Sequence, residues 1–87
     1  MLSFDWDAAN LDHVRRHRVN PTDIADVFDG PITPIASVNR GETRYAVVGR
    51  TRAGRYLTVF YTWRGDRIRV VTARDAHPRE RRRWRNR

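Results

Sequence analysis

Three runs with the two-residue period of β-structure follow one another through the middle of the chain, at residues 44–50, 55–63 and 67–74. Only residues 51–54, with Arg52-Ala53-Gly54 as the hairpin loop, and Arg64-Gly65-Asp66 separate them. A parallel crossover needs about a dozen residues or more, so connections this short permit antiparallel pairing alone. That constraint selects a meander and excludes a doubly wound sheet. A further short run, residues 32–36, is interrupted by Pro34. Proline cannot donate to a ladder, so this strand is expected at a sheet edge. Residues 38–42 read as a polar loop.

The stretch before the strands has a different period. Asp7 can cap a helix from Ala8 to about His17, with Leu11 and Val14 on its buried stripe. Asn20-Pro21-Thr22-Asp23 is a second start, with Asn at the cap, Pro at the first helical position and an acid two further on. Ile24, Val27 and Phe28 then fall on one face, and Asp29-Gly30-Pro31 stops the helix. Phe4-Asp5-Trp6 is an extended lead-in that can add a leading strand. His77-Pro78-Arg79-Glu80 opens a last, Arg-dense helix running through Trp84. The expected architecture is α+β: two N-terminal helices, an antiparallel sheet of about four strands and a C-terminal helix, with the helices on one side of the sheet. Without repeats or a linker, the 87 residues are expected to form one domain, 1–87.

Several function classes drop out. There is no cysteine, so neither a disulfide framework nor a Cys-ligated zinc site can form. The first residues lack the basic and apolar regions of a secretory signal. No apolar run nears the roughly 18 residues of a membrane span. A cytoplasmic chain with no membrane association is expected. No Ser/His/Asp order, Gly-rich phosphate loop or carboxylate pair appears, which argues against nucleophilic, NTP-dependent and glycosidase chemistry.

Charge is the informative quantity. All 18 basic side chains are Arg. Residues 1–43 hold four Arg against seven acids, a net of −3, and residues 44–87 hold fourteen Arg against three acids, a net of +11. A GC-rich genome accounts for Arg in place of Lys, but not for the segregation, which points to an anionic partner for one surface. Guanidinium is planar and always charged, and it grips phosphate bidentately. In the third strand run, plain alternation puts Arg67, Arg69, Val71 and Ala73 on one face and Ile68, Val70, Thr72 and Arg74 on the other. The preceding run carries rings on both sides. Arg beside aromatic rings suits single-stranded RNA, where bases stack and phosphates pair, although Tyr56 and Phe60 can equally pack under helices. The Arg79, Arg81, Arg82, Arg83, Arg85, Arg87 run reads as a phosphate clamp or as a solvated helix face. Asn10, His13 and His17 share a helix face. His at i, i+4 is metal-ligand spacing, yet no third His or Cys partner is evident, so a structural or proton-transfer role is expected and no metal. Glu42 and Arg44 can form an ordinary ion pair or hold an Arg in position for phosphate.

Trp6-Asp7-x-x-Asn10-x-x-His13-x-x-x-His17-x-Val19-x-Pro21 and Val27-Phe28-Asp29-Gly30-Pro31 resemble the first half of BrnT-type toxins. Gly54 to Val59, Arg69-Val70-Val71-Thr72-Ala73-Arg74-Asp75-Ala76 and Glu80-Arg81 resemble the second half. Three positions depart from the family pattern: Arg16 stands where Lys is usual, Arg18 where Gly is usual, and Trp84 where Tyr is usual. The resemblance implies a RelE-like toxin of a type II toxin–antitoxin system. Such a toxin is a ribonuclease that inhibits translation, works without metal or other cofactor, and is neutralised by a small DNA-binding antitoxin of ribbon-helix-helix or similar type. Metal-free RNA cleavage needs a base, cations at the phosphate and an acid. Arg69, Arg74 and Arg44 are the expected cations, His17 or His13 the base or acid, and Tyr61 a substitute for them. Arg64, Arg67, Tyr56, Arg79, Arg81 and Arg82 are the expected contacts to RNA, free or ribosome-bound. The alternative is a non-catalytic nucleic-acid-binding or regulatory module that uses the same Arg-rich face.

Overall fold

The computed structural model describes residues 2–39 and 41–87. Its elements are β1 (Ser3–Phe4), α1 (Ala8–Arg16), α2 (Pro21–Asp29), β2 (Thr33–Asn39), β3 (Thr43–Arg50), β4 (Tyr56–Arg64), β5 (Arg67–Asp75) and α3 (Pro78–Arg85). The expected antiparallel meander is present as β2-β3-β4-β5. β1 adds a fifth strand beside β5, parallel to it, so the sheet is mixed with the order β1-β5-β4-β3-β2. The segment 38–42, expected as a loop, is shorter than that, because β2 runs on to Asn39.

Both N-terminal helices start on reciprocal caps. Asp7 accepts from the Asn10 N–H while the Asn10 side chain accepts from the Asp7 N–H. Asn20 and Asp23 do the same for α2. The end of α1 is a Schellman turn: the Val19 N–H bonds the Val14 carbonyl and the Arg18 N–H bonds the Arg15 carbonyl. Arg18 takes the left-handed position at φ +57 that the family pattern gives to glycine. The Arg55 guanidinium then donates to the carbonyls of both Arg18 and His17, which fixes the α1–α2 connection to the β3–β4 loop. Gly65, at φ +62, turns β4 into β5 through two residues, Gly65 and Asp66.

One face of the sheet carries the core. Val47 of β3, Leu57, Val59 and Tyr61 of β4, and Ile68, Val70 and Ala73 of β5 pack against Val14, Val19, Ile24 and Val27 from α1, α2 and their connection. Gly49 lets α2 approach β3: a Cβ there would stand 2.6 Å from a Val27 methyl. The register explains how Ala73 reaches this face, where plain alternation had put it opposite Val70. Phe60 pairs with Thr72 but Tyr61 pairs with Val70, so Val71 is an extra residue, a bulge that reverses the alternation in β5. In consequence Arg69 and Arg74 share one face, the face away from the core. The helices do not all lie on one side, as the sequence had suggested. α1 and α2 cover the core face, while α3 lies over β2 and β3 on the other, where the Glu80 carboxylate accepts from the Thr58 hydroxyl at 2.8 Å.

Candidate functional site

Pairing register turns the face under α3 into rows across the strands. Thr33, Val48, Thr58 and Arg74 form one row and Ala36, Ala46, Phe60 and Thr72 the next; Thr62 and Arg69 pair in the third, with Arg44 just past the Tyr45–Tyr61 pair that ends the β3–β4 ladder. α3 roofs the first row. Beside it Ala36, Ala46 and Phe60 of the second row line a groove of about 500 Å³ with Ser37, Glu42, Arg44 and Tyr45. Next to it a hollow of about 220 Å³ is walled by Ala9, Asn10 and His13 of α1 and by Thr62, Arg64, Arg69, Val70 and Val71. Glu42 and Arg44 border both. The structure thus brings Arg44, Arg64, Arg69 and His13 around one concavity.

The arginines at this site differ in how far they are already neutralised. Arg69 is clamped by Asp7 at 2.5 Å and Asp5 at 3.5 Å. The Asp7 carboxyl is held below its ordinary range, first by the Asn10 backbone N–H and then by Arg69. The same hydrogen bond with Asp7 holds the Arg69 proton more firmly still. Arg74 donates through both terminal nitrogens to the two oxygens of Glu80, at 2.8 and 3.0 Å. Glu80 also accepts from the His77 N–H. Arg74 above all, with these further donors, lowers the Glu80 carboxyl to about 2, against the burial that opposes it. The Arg74 guanidinium lies 5.3 Å from the centre of the Phe60 ring. Arg64 reaches Glu42 at 3.7 Å, and Arg67 donates to the Phe4 carbonyl. Arg44 is exposed, and no described residue pairs with it.

Other expected site residues stand elsewhere. His17 ends α1, exposed and outside the hollow, with its carbonyl taken by Arg55. Tyr61 is buried on the core face, stacked on Tyr45 and edge-on to Phe28. Burial raises its hydroxyl pKa above the ordinary value. Tyr56 is covered by α3: Trp84 meets it edge-on at 5.3 Å and Arg81 lies 5.0 Å from its ring centre. Arg79 and Arg82 are exposed on α3, while Arg83 donates to the Pro34 and Ile35 carbonyls beside the β2 bulge. Asn10 is buried as a cap and is not available to a metal. Among the described residues no three His, Cys, Asp or Glu side chains are grouped as ligands for an ion.

Sequence reading left Phe60 open between a ring for stacking and a ring packed under helices, and the structure puts it in the groove lining; it passed over Glu80 as the hub joining α3 to β4 and β5, and the Asp5–Asp7 clamp on Arg69. Phe60 carried a signal, because alternation puts it with Tyr56 on one face of β4. The ion pairs had none, since they join residues more than 60 positions apart or across a helix start. Chemically, a free guanidinium, a clamped one and an imidazole surround a hollow open to a groove with an apolar floor. That set can bind a phosphodiester and move a proton. The family model described as "Ribonuclease toxin, BrnT, of type II toxin-antitoxin system" matches residues 6–80. Among curated proteins none matches the chain.

Proposed function

We propose that the chain, which belongs to the BrnT family of ribonuclease toxins of type II toxin–antitoxin systems, cleaves RNA without a metal ion at the hollow bordered by His13, Arg44 and Arg69. The observation that carries this reading is Arg44: exposed, paired with no described residue, and placed where the hollow meets the groove. His13 takes the proton of the ribose 2′-hydroxyl, the 2′-oxygen attacks phosphorus, and the 5′-oxygen leaves with a proton from solvent. The products are a 2′,3′-cyclic phosphate and a 5′-hydroxyl. Arg44 and Arg69 balance the charge that builds on the phosphate oxygens. His13 is preferred to His17 because it alone of the two lines the hollow. Arg74, with its charge matched by Glu80, positions the groove wall.

Incubating the purified chain with RNA in EDTA, and assaying for cyclic-phosphate termini, tests the reading. Arg44→Ala is expected to lose about 10²–10³-fold in rate, the effect of deleting one donor to a developing oxyanion. Cleavage at the unaltered rate by Arg44→Ala would sink the assignment. The ion pairs on Arg69 and Arg74 favour a second reading, a module that binds RNA and never cuts it; binding without fragments would select that. A toxin of this family implies an antitoxin. We take the partner to be a small DNA-binding protein of ribbon-helix-helix or similar type, and the outcome in the cell to be arrested translation in the cytoplasm. Among the described residues no helix is long and apolar enough to cross a membrane. Loss of amino-acid incorporation on induction, relieved by co-expressing the neighbouring reading frame, tests that outcome. Comparing naked with ribosome-bound message shows which form is cut.

A further inference from the structure

Phe60 has no part in the chemistry just described, yet its setting is unusual. Its row across the sheet reads Ala36, Ala46, Phe60, Thr72, so both cross-strand neighbours are short and the ring stands clear of them. It is half-buried and forms the floor of the groove with Ala36 and Ala46. Tyr56, the other ring of β4 on this face, lies beneath Trp84 and Arg81. One flank of Phe60 is set by Arg74, which Glu80 holds through both oxygens. Along the strands Arg44 and Arg69 stand next outward. Same-face positions on a strand are about 6.7 Å apart and adjacent strands about 4.8 Å apart, so Phe60 on β4 and Arg44 on β3 stand diagonally, roughly 8 Å apart at the backbone, a separation that one nucleotide and the Arg44 side chain can bridge.

An apolar floor with guanidinium groups on two sides fits a planar ring that carries an anion at one end. An acidic peptide would use the cations and leave the ring idle; an aliphatic side chain would use the ring and leave Arg44 unpaired. A nucleotide uses both. We infer that Phe60 is the stacking platform for one unpaired nucleobase of the RNA, seated beside the phosphate that Arg44 holds. This inference rests on the reading above that RNA occupies the groove. Every base has a π-face, so the platform selects for single-strandedness before it selects for sequence.

The test uses an oligoribonucleotide made uncleavable by a single 2′-deoxy substitution at the scissile nucleotide, with a series carrying one abasic position each. Phe60→Leu keeps the groove floor apolar and removes the π-face, whereas Phe60→Trp keeps a ring. Stacking on an aromatic side chain is worth about 1–3 kcal/mol per base, so Phe60→Leu should weaken binding about 5- to 150-fold and Phe60→Trp should not. One abasic position should weaken the wild type to a similar degree and leave Phe60→Leu unaffected. Equal affinity of wild type and Phe60→Leu, or a loss in Phe60→Leu that is the same on every abasic oligonucleotide, overturns the platform. So does a Phe60→Leu variant that binds RNA normally and loses only its antitoxin, for then the groove docks protein. Because binding is read on an uncleavable strand, a wild type that shows this coupling yet cuts no all-ribose RNA keeps the platform and loses the ribonuclease mechanism.

Discussion

Arg18 holds a backbone angle that glycine would hold at less cost. Its φ of +57 crowds the Cβ against its own backbone, and no carboxylate pairs with its side chain in compensation. What holds the turn is around it. Val14 and Val19, 0% and 1% exposed, supply the apolar contact that completes a Schellman end, and Arg55 binds two of its carbonyls. Arg18→Gly should therefore stabilise the fold by about 1 kcal/mol, offset in part by the greater freedom of glycine in the unfolded chain. Thermal unfolding should show a rise of a few degrees, about 4–8 °C per kcal/mol for a chain this size. Arg18→Ala should show no such rise, because it keeps the Cβ. An equal gain from both would mean that charge at this position, and not its backbone angle, sets the cost.

At the scale of elements, α3 depends on one carboxylate. Glu80 joins its N-terminus to Arg74 of β5 and Thr58 of β4, and its carboxyl is lowered to about 2 from an ordinary 4.5. The unfolded chain therefore takes up this proton more readily than the folded one. The stabilisation is complete above about 4.5, and it is lost as the pH falls through 2. It amounts to on the order of 3 kcal/mol. Denaturant midpoints of the wild type should fall between pH 5 and pH 2.5, while Glu80→Gln starts lower and falls less steeply; parallel acid limbs would remove Glu80 as the cause. The start of α3 was legible in His77-Pro78, as were the caps at Asp7 and Asn20 and the turn at Gly65, because each is a local signal. Side, by contrast, is a tertiary choice. The Arg-dense helix shows a single large apolar residue, Trp84, and nothing in its own sequence says which face of the sheet it will cover. The bulge at Val71 was equally hidden: one residue of slip re-aims Ala73, Thr72 and Arg74. That is why the triad of expected cations could be named from sequence while the surface they share could not.

For the whole molecule, the split between an acidic first half and a basic second half is in part a folding complement. Asp5 and Asp7 meet Arg69, Asp23 meets Arg55, and Asp26 and Asp29 meet Arg52. Each pair joins the helical half to the sheet. The pairs on Arg52 leave its guanidinium well exposed, and exposed pairs contribute little individually; those on Arg55 and Arg69 are partly buried, and together the pairs neutralise positive charge at the hairpin end and on β5. The net +8 is then felt most at arginines with which no described carboxylate pairs, among them Arg44 in the groove and Arg79 and Arg82 on α3. If a single strand crosses from α3 to the groove, it should release about 0.7 counterion per neutralised phosphate. With three such contacts, the logarithm of the RNA dissociation constant should rise with the logarithm of salt at a slope of about 2. Arg44→Ala, Arg79→Ala and Arg82→Ala should each lower that slope by about 0.7, whereas Arg52→Ala, at the far hairpin and already matched by Asp26 and Asp29, should leave it unchanged. Filter binding between low and moderate salt measures all four. If Arg52→Ala flattens the dependence as much as Arg44→Ala does, RNA is held by overall charge alone, and the groove has no claim to be its path.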